Sequence, residues 1–248
     1  MSYEYSENEL VQNSAIELLR DTLAWRTFYA YNDEVLGNNS SSKSLGRSSY
    51  KEILLTRYLK EAVFKFNNWM TDEIFEQIVK ILNTKVSSDS DIQNNEKNYQ
   101  YFKDGIEVDV RDENGNYIKR RAKLFDFAHP EENDFLAVQE MKIWGEVYHR
   151  RADIVGFVNG IPLLFVELKR DDVDIQEAYD NNYKDYRTTI PQLFYYNAFI
   201  VFANGPEAKI GTLESKYKFF HEWKRLSEKD SGSVAFETML LGICDKKN

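Results

Sequence analysis

The apolar positions of this chain follow two rhythms, a helical one first and a strand-like one later. In NELVQNSAIELLRDTLA, residues 8–24, Leu10, Ala15, Leu18 and Leu19 fall near one face of a 3.6-residue repeat, which predicts an amphipathic helix. TFYAYNDE at 27–34 reads as a short strand. GNNSSSKSLGRSSY at 37–50 is rich in Gly, Ser and Asn and predicts a mobile surface loop. Ser48 or Ser49 then stands where it can cap a helix over KEILLTRYLKEAVFKFN. A second helix is predicted over TDEIFEQIVKILN at 71–83, with Thr71 as cap and acids in the first turn, where they meet the positive end of the helix dipole. TKVSSDSDIQNNEKNYQ is polar, and reads as a connection or as the extension of a solvent-facing helix.

The period then shortens to two. GIEVDV, the turn RDENGN and YIKRRAKLFDF predict a β-hairpin. DFLAVQEMKIWGEVYHRRADIVGFV alternates over a long span and meets Asn159-Gly160, the strongest short hairpin signal, before the return strand IPLLFVELK. Residues 174–187 look helical, NAFIVFANG at 197–205 is a run of buried-strand type, and two helices are expected at 214–227 and 233–243. Helices at both ends and strands between predict one α/β domain, its sheet covered by helices. Its parts are a helical segment over 1–100, a sheet core over 101–210 and C-terminal helices over 211–248.

Composition narrows the possibilities. The chain has 248 residues, 42% hydrophobic and 15% aromatic, enough for a sizeable core and against global disorder. A formal net charge of -9 does not suit a protein that coats DNA by itself, although a metal can offset carboxylates where a phosphate docks. The single cysteine, Cys244, excludes an intrachain disulfide and fits a reduced, cytoplasmic setting. MSYEYSENEL is acidic and unlike a targeting peptide, and no apolar run is long enough for a membrane span. His129, His149 and His221 are scattered without zinc spacing, and no Walker A loop is present. FETMLLGICDKKN reads as an apolar helix ending at a basic segment, as expected of a piece of a longer protein.

Three charges interrupt the apolar hairpin RADIVGFVNGIPLLFVELKR: Asp153, Glu167 and Lys169. Alternation puts Ile161, Leu163, Phe165, Glu167 and Lys169 on one face of the return strand, so Glu167 and Lys169 project side by side about 7 Å apart. A plain two-residue turn sets Asp153 against Val166, on the wrong face. One extra residue, from a longer turn or a bulge near Gly156 or Gly160, sets it against Glu167, and Pro162 lacks the N–H of a regular ladder. The spacing predicts such an irregularity or a local splay. Paired carboxylates can hold Mg²⁺ while leaving positions for water and phosphate, and a nearby lysine can orient or deprotonate that water. D-x(13)-E-x-K on a hairpin therefore suits phosphodiester hydrolysis. It also fits a plainer reading, a solvated strand end with Asp153 paired to Arg151.

This stretch resembles the PD-(D/E)xK nuclease motif. With EAYDNNYKDYRTTIPQLFYYNAFIVFANG after it, SENELVQ and LGRSSYKEILLTRYL before it, and KIGTLESKYKFFHEWKRL and LLGICDK beyond, it resembles the N-terminal nuclease domain of the R subunit of type I restriction–modification enzymes. The resemblance implies a restriction-endonuclease-like α/β core with a central mixed sheet flanked by helices. It implies a Mg²⁺- or Mn²⁺-dependent cytoplasmic endonuclease acting on double-stranded DNA. It also implies an ATP-using translocase after residue 248, and methyltransferase and specificity subunits as partners. By position, Asp153 and Glu167 match the family's metal-binding acids and Lys169 its catalytic lysine. The family's Q-x-x-x-Y maps onto Asn182 and Tyr186, with Asn in place of Gln; a literal copy, Gln192 to Tyr196, follows Pro191. Ala152 stands where the motif's name has Pro. Glu7, Glu9 and Glu17 are candidates for an extra metal ligand on the first helix, Glu7 being preferred. Arg150, Arg151, Arg170, Lys184 and Arg187 lie near the acids in sequence, where they could meet the phosphate backbone. A repair or junction-resolving nuclease with the same motif, and a non-catalytic docking module, are the alternatives.

Overall fold

The computed structural model describes residues 7–37, 44–85, 90–223, 225–226 and 235–247. Helix α1 (Glu7–Glu17) runs into a wider π turn over Leu18–Thr22. Its buried stripe is Gln12, Ala15, Ile16 and Leu19, at i, i+3, i+4 and i+7, while Leu10 points to solvent. The predicted face is thus rotated, because Gln12 rather than Leu10 completes the inward row.

Strand β1 (Arg26–Tyr29) and the one-turn helix α2 (Ala30–Asp33) divide the segment read as one strand. Part of the loop expected over 37–50 lies outside the described residues, at 38–43. Its second half is not a surface loop: Ser44, Leu45 and Arg47 are buried, because the Arg47 guanidinium is drawn inward to Glu34. Nor does Ser48 or Ser49 cap the next helix. Helix α3 (Thr56–Phe66) starts after Leu55 without a side-chain cap, Leu55 being tied by its N–H to Gly160 O at 2.9 Å. Helix α4 (Asp72–Asn83) is capped by Thr71 as expected, and α5 (Asp91–Asp104) opens with a Ser90/Gln93 capping box. The hairpin β2 (Ile106–Arg111) and β3 (Tyr117–Ala122) places Ile106, Val108 and Val110 against Ile74 and Ile78.

The long alternating stretch folds as two antiparallel strands, β4 (Phe135–Trp144) and β5 (His149–Val158), and β6 (Ile161–Leu168) returns beside β5. A π turn over Ala178–Tyr183 leads into α6 (Lys184–Thr189), followed by β7 (Phe199–Ala203), β8 (Ala208–Gly211) and α7 (Ala235–Ile243). The central sheet has the order β1-β4-β5-β6-β7-β8; β1/β4 and β6/β7 are parallel and the other pairs antiparallel. The helix expected over 214–227 is absent among the described residues there. Only a short 3₁₀ turn forms (Tyr217–Phe219), because His221 bonds back to Ile210 along β8.

Helical segments cover both faces of this sheet. On one, Val155, Phe165 and Phe202 meet Ala178, Tyr183 and Phe194. On the other, Ile154, Val166 and Val201 meet Ala15, Leu19 and Met239. The fold is therefore mixed α/β, a central mixed sheet flanked by helices as in restriction-endonuclease-like proteins. Cys244 is buried, and burial pushes its thiol up to about 12. Among the described residues no helix is long and apolar enough to cross a membrane.

Candidate active site

Asn159 (φ 51°) and Gly160 (φ 78°) make a two-residue turn between β5 and β6. A Cβ on Gly160 would stand 2.4 Å from Leu55 O, so the position admits only glycine. The extra residue lies further along. Phe157 pairs with Pro162 but Gly156 pairs with Leu164, which leaves Leu163 as the bulge. From there the register runs to Ile154 and Val166, where the ladder ends; continued by one position, it would set Asp153 against Glu167.

The regular ladder stops at that point. The Leu168 N–H donates to Asp153 Oδ2 at 2.7 Å, so the carboxylate takes a backbone donor that a strand carbonyl would otherwise meet. The main-chain oxygen of Asp153 accepts from Gln12 Nε2 at 2.8 Å, which ties α1 to the same point. On the other side, β4 is disturbed at Glu140 (φ 57°). Gln139 pairs with Ile154 and Met141 with Ala152, but Glu140 and Asp153 between them do not pair. The inward phase reverses there, since Leu136 and Val138 before Glu140 and Met141 and Ile143 after it share one core cluster. A left-handed residue inside a strand produces such a reversal.

Three acids from three adjacent strands thus stand near one break in the sheet, close enough to act on one another's ionisation. Glu167 is 2% exposed, and its Oε2 has no hydrogen-bond partner among the described residues. Burial, then the Asp153 charge, pushes the Glu167 carboxyl well above the usual range. Burial also pushes Asp153 up to about 6, against the pull of the Leu168 N–H. Lys169 favours ionisation of both acids and donates to Asn182 Oδ1 at 2.6 Å. Tyr186 is buried, donates to Arg151 O at 3.0 Å, and has its hydroxyl pKa raised by burial and by Glu167. Asp153, Glu167, Lys169, Asn182 and Tyr186 are therefore neighbours. The literal Q-x-x-x-Y residues lie elsewhere: Gln192 bonds Trp144 O at 2.8 Å and Tyr196 bonds Leu82 O at 2.9 Å.

The basic residues are mostly committed. Arg151 turns to Glu140 at 2.6 Å rather than to Asp153. Arg150 holds Asp185, with a 2.9 Å bond from Nη2, and Lys184 holds Asp180 at 2.6 Å. Arg170 pairs with Asp172 on the exposed surface, and Arg187 is drawn to Glu214 and Asp91, away from the acids. Glu17 is exposed, and the side chains of Glu7 and Glu9 lie outside the described residues. Glu140 and Gln12 were not singled out from the sequence. Counting strand register outward from Asp153 would have found Glu140, had the end of the β4–β5 turn been legible.

Mg²⁺ needs only one or two protein carboxylates and keeps several waters. Asp153 and Glu167 suit it, because a buried carboxylate oxygen without a donor favours a cation. Among the described residues no three His, Cys, Asp or Glu side chains converge as a metal cage. Glu140 is turned to Arg151, and one Asp153 oxygen is taken by Leu168.

The sequence model of one family, described as the type I restriction enzyme R protein N terminus, matches residues 4–219. The type I restriction enzyme HindI endonuclease subunit of Haemophilus influenzae is 29% identical over 232 residues, covering 92% of this chain and 21% of that protein. A putative type I restriction enzyme MjaIXP endonuclease subunit of Methanocaldococcus jannaschii is 27% identical over 236 residues, again with 92% and 21% covered. The putative MjaVIIIP endonuclease subunit of the same organism is 27% identical over 211 residues, 77% of this chain and 20% of that protein. The chain spans about a fifth of the length of these curated relatives.

Proposed function

The chain belongs to the family of type I restriction enzyme R protein N termini, and from that membership and the acid cluster we propose that it is an endonuclease domain hydrolysing phosphodiester bonds of double-stranded DNA with Mg²⁺ or Mn²⁺. The observation that carries this reading is the Glu167 carboxylate, buried and lacking a donor, beside Asp153 at the end of a hairpin that also bears Lys169. Asp153 and Glu167 would hold the metal ion. When bound, such an ion polarises the phosphate and lowers the pKa of a coordinated water.

The chain's own groups prepare the rest. The bulge at Leu163 turns Asp153 to the Glu167 side of the hairpin, and the Leu168 N–H fixes its carboxylate. Asn182 holds the Lys169 ammonium, which would orient the attacking water or take its proton. Tyr186 anchors this helical turn to the backbone of Arg151. Arg151, half-exposed and paired with Glu140, would meet the phosphate backbone; Arg170 is paired with Asp172, and Arg187 with Glu214 and Asp91.

In this reading residues 1–248 form a single nuclease domain of a longer cytoplasmic chain. An ATP-driven translocase follows it, and methyltransferase and specificity subunits complete the complex and deliver the DNA. The test is Asp153→Ala, Glu167→Ala and Lys169→Ala in the complete assembly. Each abolishes cleavage while ATP hydrolysis and subunit binding persist. Near-normal cleavage by all three variants refutes the assignment.

A further inference from the structure

Glu140 belongs to the same break in the sheet, yet D-x(13)-E-x-K does not include it. Its register position is opposite Asp153 on one side, as Glu167 is on the other. Adjacent strands lie about 4.8 Å apart, so the three backbones bring their acids into one neighbourhood. Both Asp153 and Glu167 feel the Glu140 charge. The Glu140 side chain is only 11% exposed, and among the described residues its ion-pair partner is the half-exposed Arg151 guanidinium, which also lies over the Tyr31 ring at 5.1 Å. The donorless Glu167 oxygen marks the same place as short of positive charge.

We propose that Glu140 is a third carboxylate of the cation site and that Arg151 is its exchangeable counter-ion. This rests on the reading of Asp153 and Glu167 as the metal-holding pair. A divalent cation and Arg151 then compete for Glu140. A DNA phosphate that draws Arg151 outward releases Glu140 to the cation, so DNA and cation assist each other's binding. Arg151 can make this exchange at low cost, because a half-exposed guanidinium keeps most of its freedom and its hydration.

Mn²⁺ titration of the intact chain, read by the loss of free-ion electron paramagnetic resonance signal, tests this without any cleavage assay. Glu140→Gln weakens Mn²⁺ binding by about tenfold, in the range seen when groups supporting a metal site are removed. Arg151→Gln tightens it severalfold, and in the Glu140→Gln background that gain disappears. A structural role for the pair would not produce opposite signs. Unchanged affinity in Glu140→Gln, while Asp153→Asn loses binding, overturns the inference alone. A gain from Arg151→Gln that survives without the Glu140 carboxylate also overturns it. Failure of the unaltered chain to bind Mn²⁺ overturns the site assignment beneath it as well.

Discussion

Two clusters of buried charge sit on the same sheet and are built in opposite ways. At one, Arg47 (0% side-chain exposure) meets Glu34 (1%), with Nε and Nη2 on the two carboxylate oxygens at 2.8 and 2.5 Å. Nη1 donates to Glu52 O and Nη2 to Lys142 O, both at 3.1 Å. A bidentate pair with backbone acceptors compensates much of the large cost of taking two ions out of water. At the other, Glu140, Asp153 and Glu167 share a break in the ladder with Lys169 and Arg151 at its edge, and one Glu167 oxygen has no donor among the described residues. The first cluster is complete within the chain and holds α2 and the segment after it to β4. The second is left short of positive charge, as suits a site whose remaining ligand comes from outside.

That contrast can be broken at either end. The largest effect belongs to the closed pair. Arg47→Met leaves Glu34 buried and alone and destabilises the protein by about 3–5 kcal/mol, measured by urea denaturation. A loss under about 1 kcal/mol would place the pair with ordinary surface ion pairs and remove the distinction.

At the open cluster the sign reverses. Asp153 is raised from 3.8 to about 6 in the fold, so its stabilising contribution is fully present below about pH 4 and is lost as pH rises through about 6. Relative to the unaltered metal-free chain, Asp153→Asn therefore gains stability between pH 4 and pH 7, by about 2 kcal/mol. Paired denaturation curves across that range check it; a difference that stays flat with pH contradicts the assigned cause.

Glu167→Gln removes a group whose ionisation burial and Asp153 both oppose, so without metal its thermal midpoint at pH 8 lies above that of the unaltered chain. Millimolar Mg²⁺ raises the unaltered chain's midpoint and not the variant's, because only the former gains a bound ligand. Equal shifts in the two would separate Glu167 from the cation. The smallest stability effect is at Asn182→Ala, which removes one acceptor from Lys169 and costs about 1 kcal/mol or less. In the complete assembly it still slows cleavage. Unchanged cleavage would reduce Asn182 to a surface partner.

The hairpin was legible in the sequence because the facing of its side chains follows parity. Asn159-Gly160 marks the turn, and parity then requires one extra residue if Asp153 is to reach Glu167. The bulge that supplies it falls at Leu163, across from Gly156, and not in the turn. The resemblance likewise pointed to Asn182 and Tyr186 ahead of the literal Gln192/Tyr196 pair, and the fold puts the first two beside Lys169 and Glu167. Other features were hidden for definite reasons. Arg47 stands in a Gly/Ser-rich run that reads as surface, and only its pairing with Glu34 draws it in. The expected cap at Ser48 or Ser49 failed because Leu55 is tethered to the hairpin turn, which delays the start of α3.

What the sequence determined by itself was local in origin: alternation, turn chemistry, the Thr71 cap, and the ordering of Asp153, Glu167 and Lys169 along one hairpin. These depend on covalent spacing and backbone geometry, which near neighbours fix. Only the tertiary structure decided which charges share a space. Glu140 comes near Asp153 because β4 lies beside β5 and turns left-handed at that residue, and Arg151 pairs with Glu140 while a backbone N–H takes one oxygen of Asp153. The electrostatics of the site depend on distance and desolvation between groups far apart in the chain, and no periodicity along the sequence encodes these.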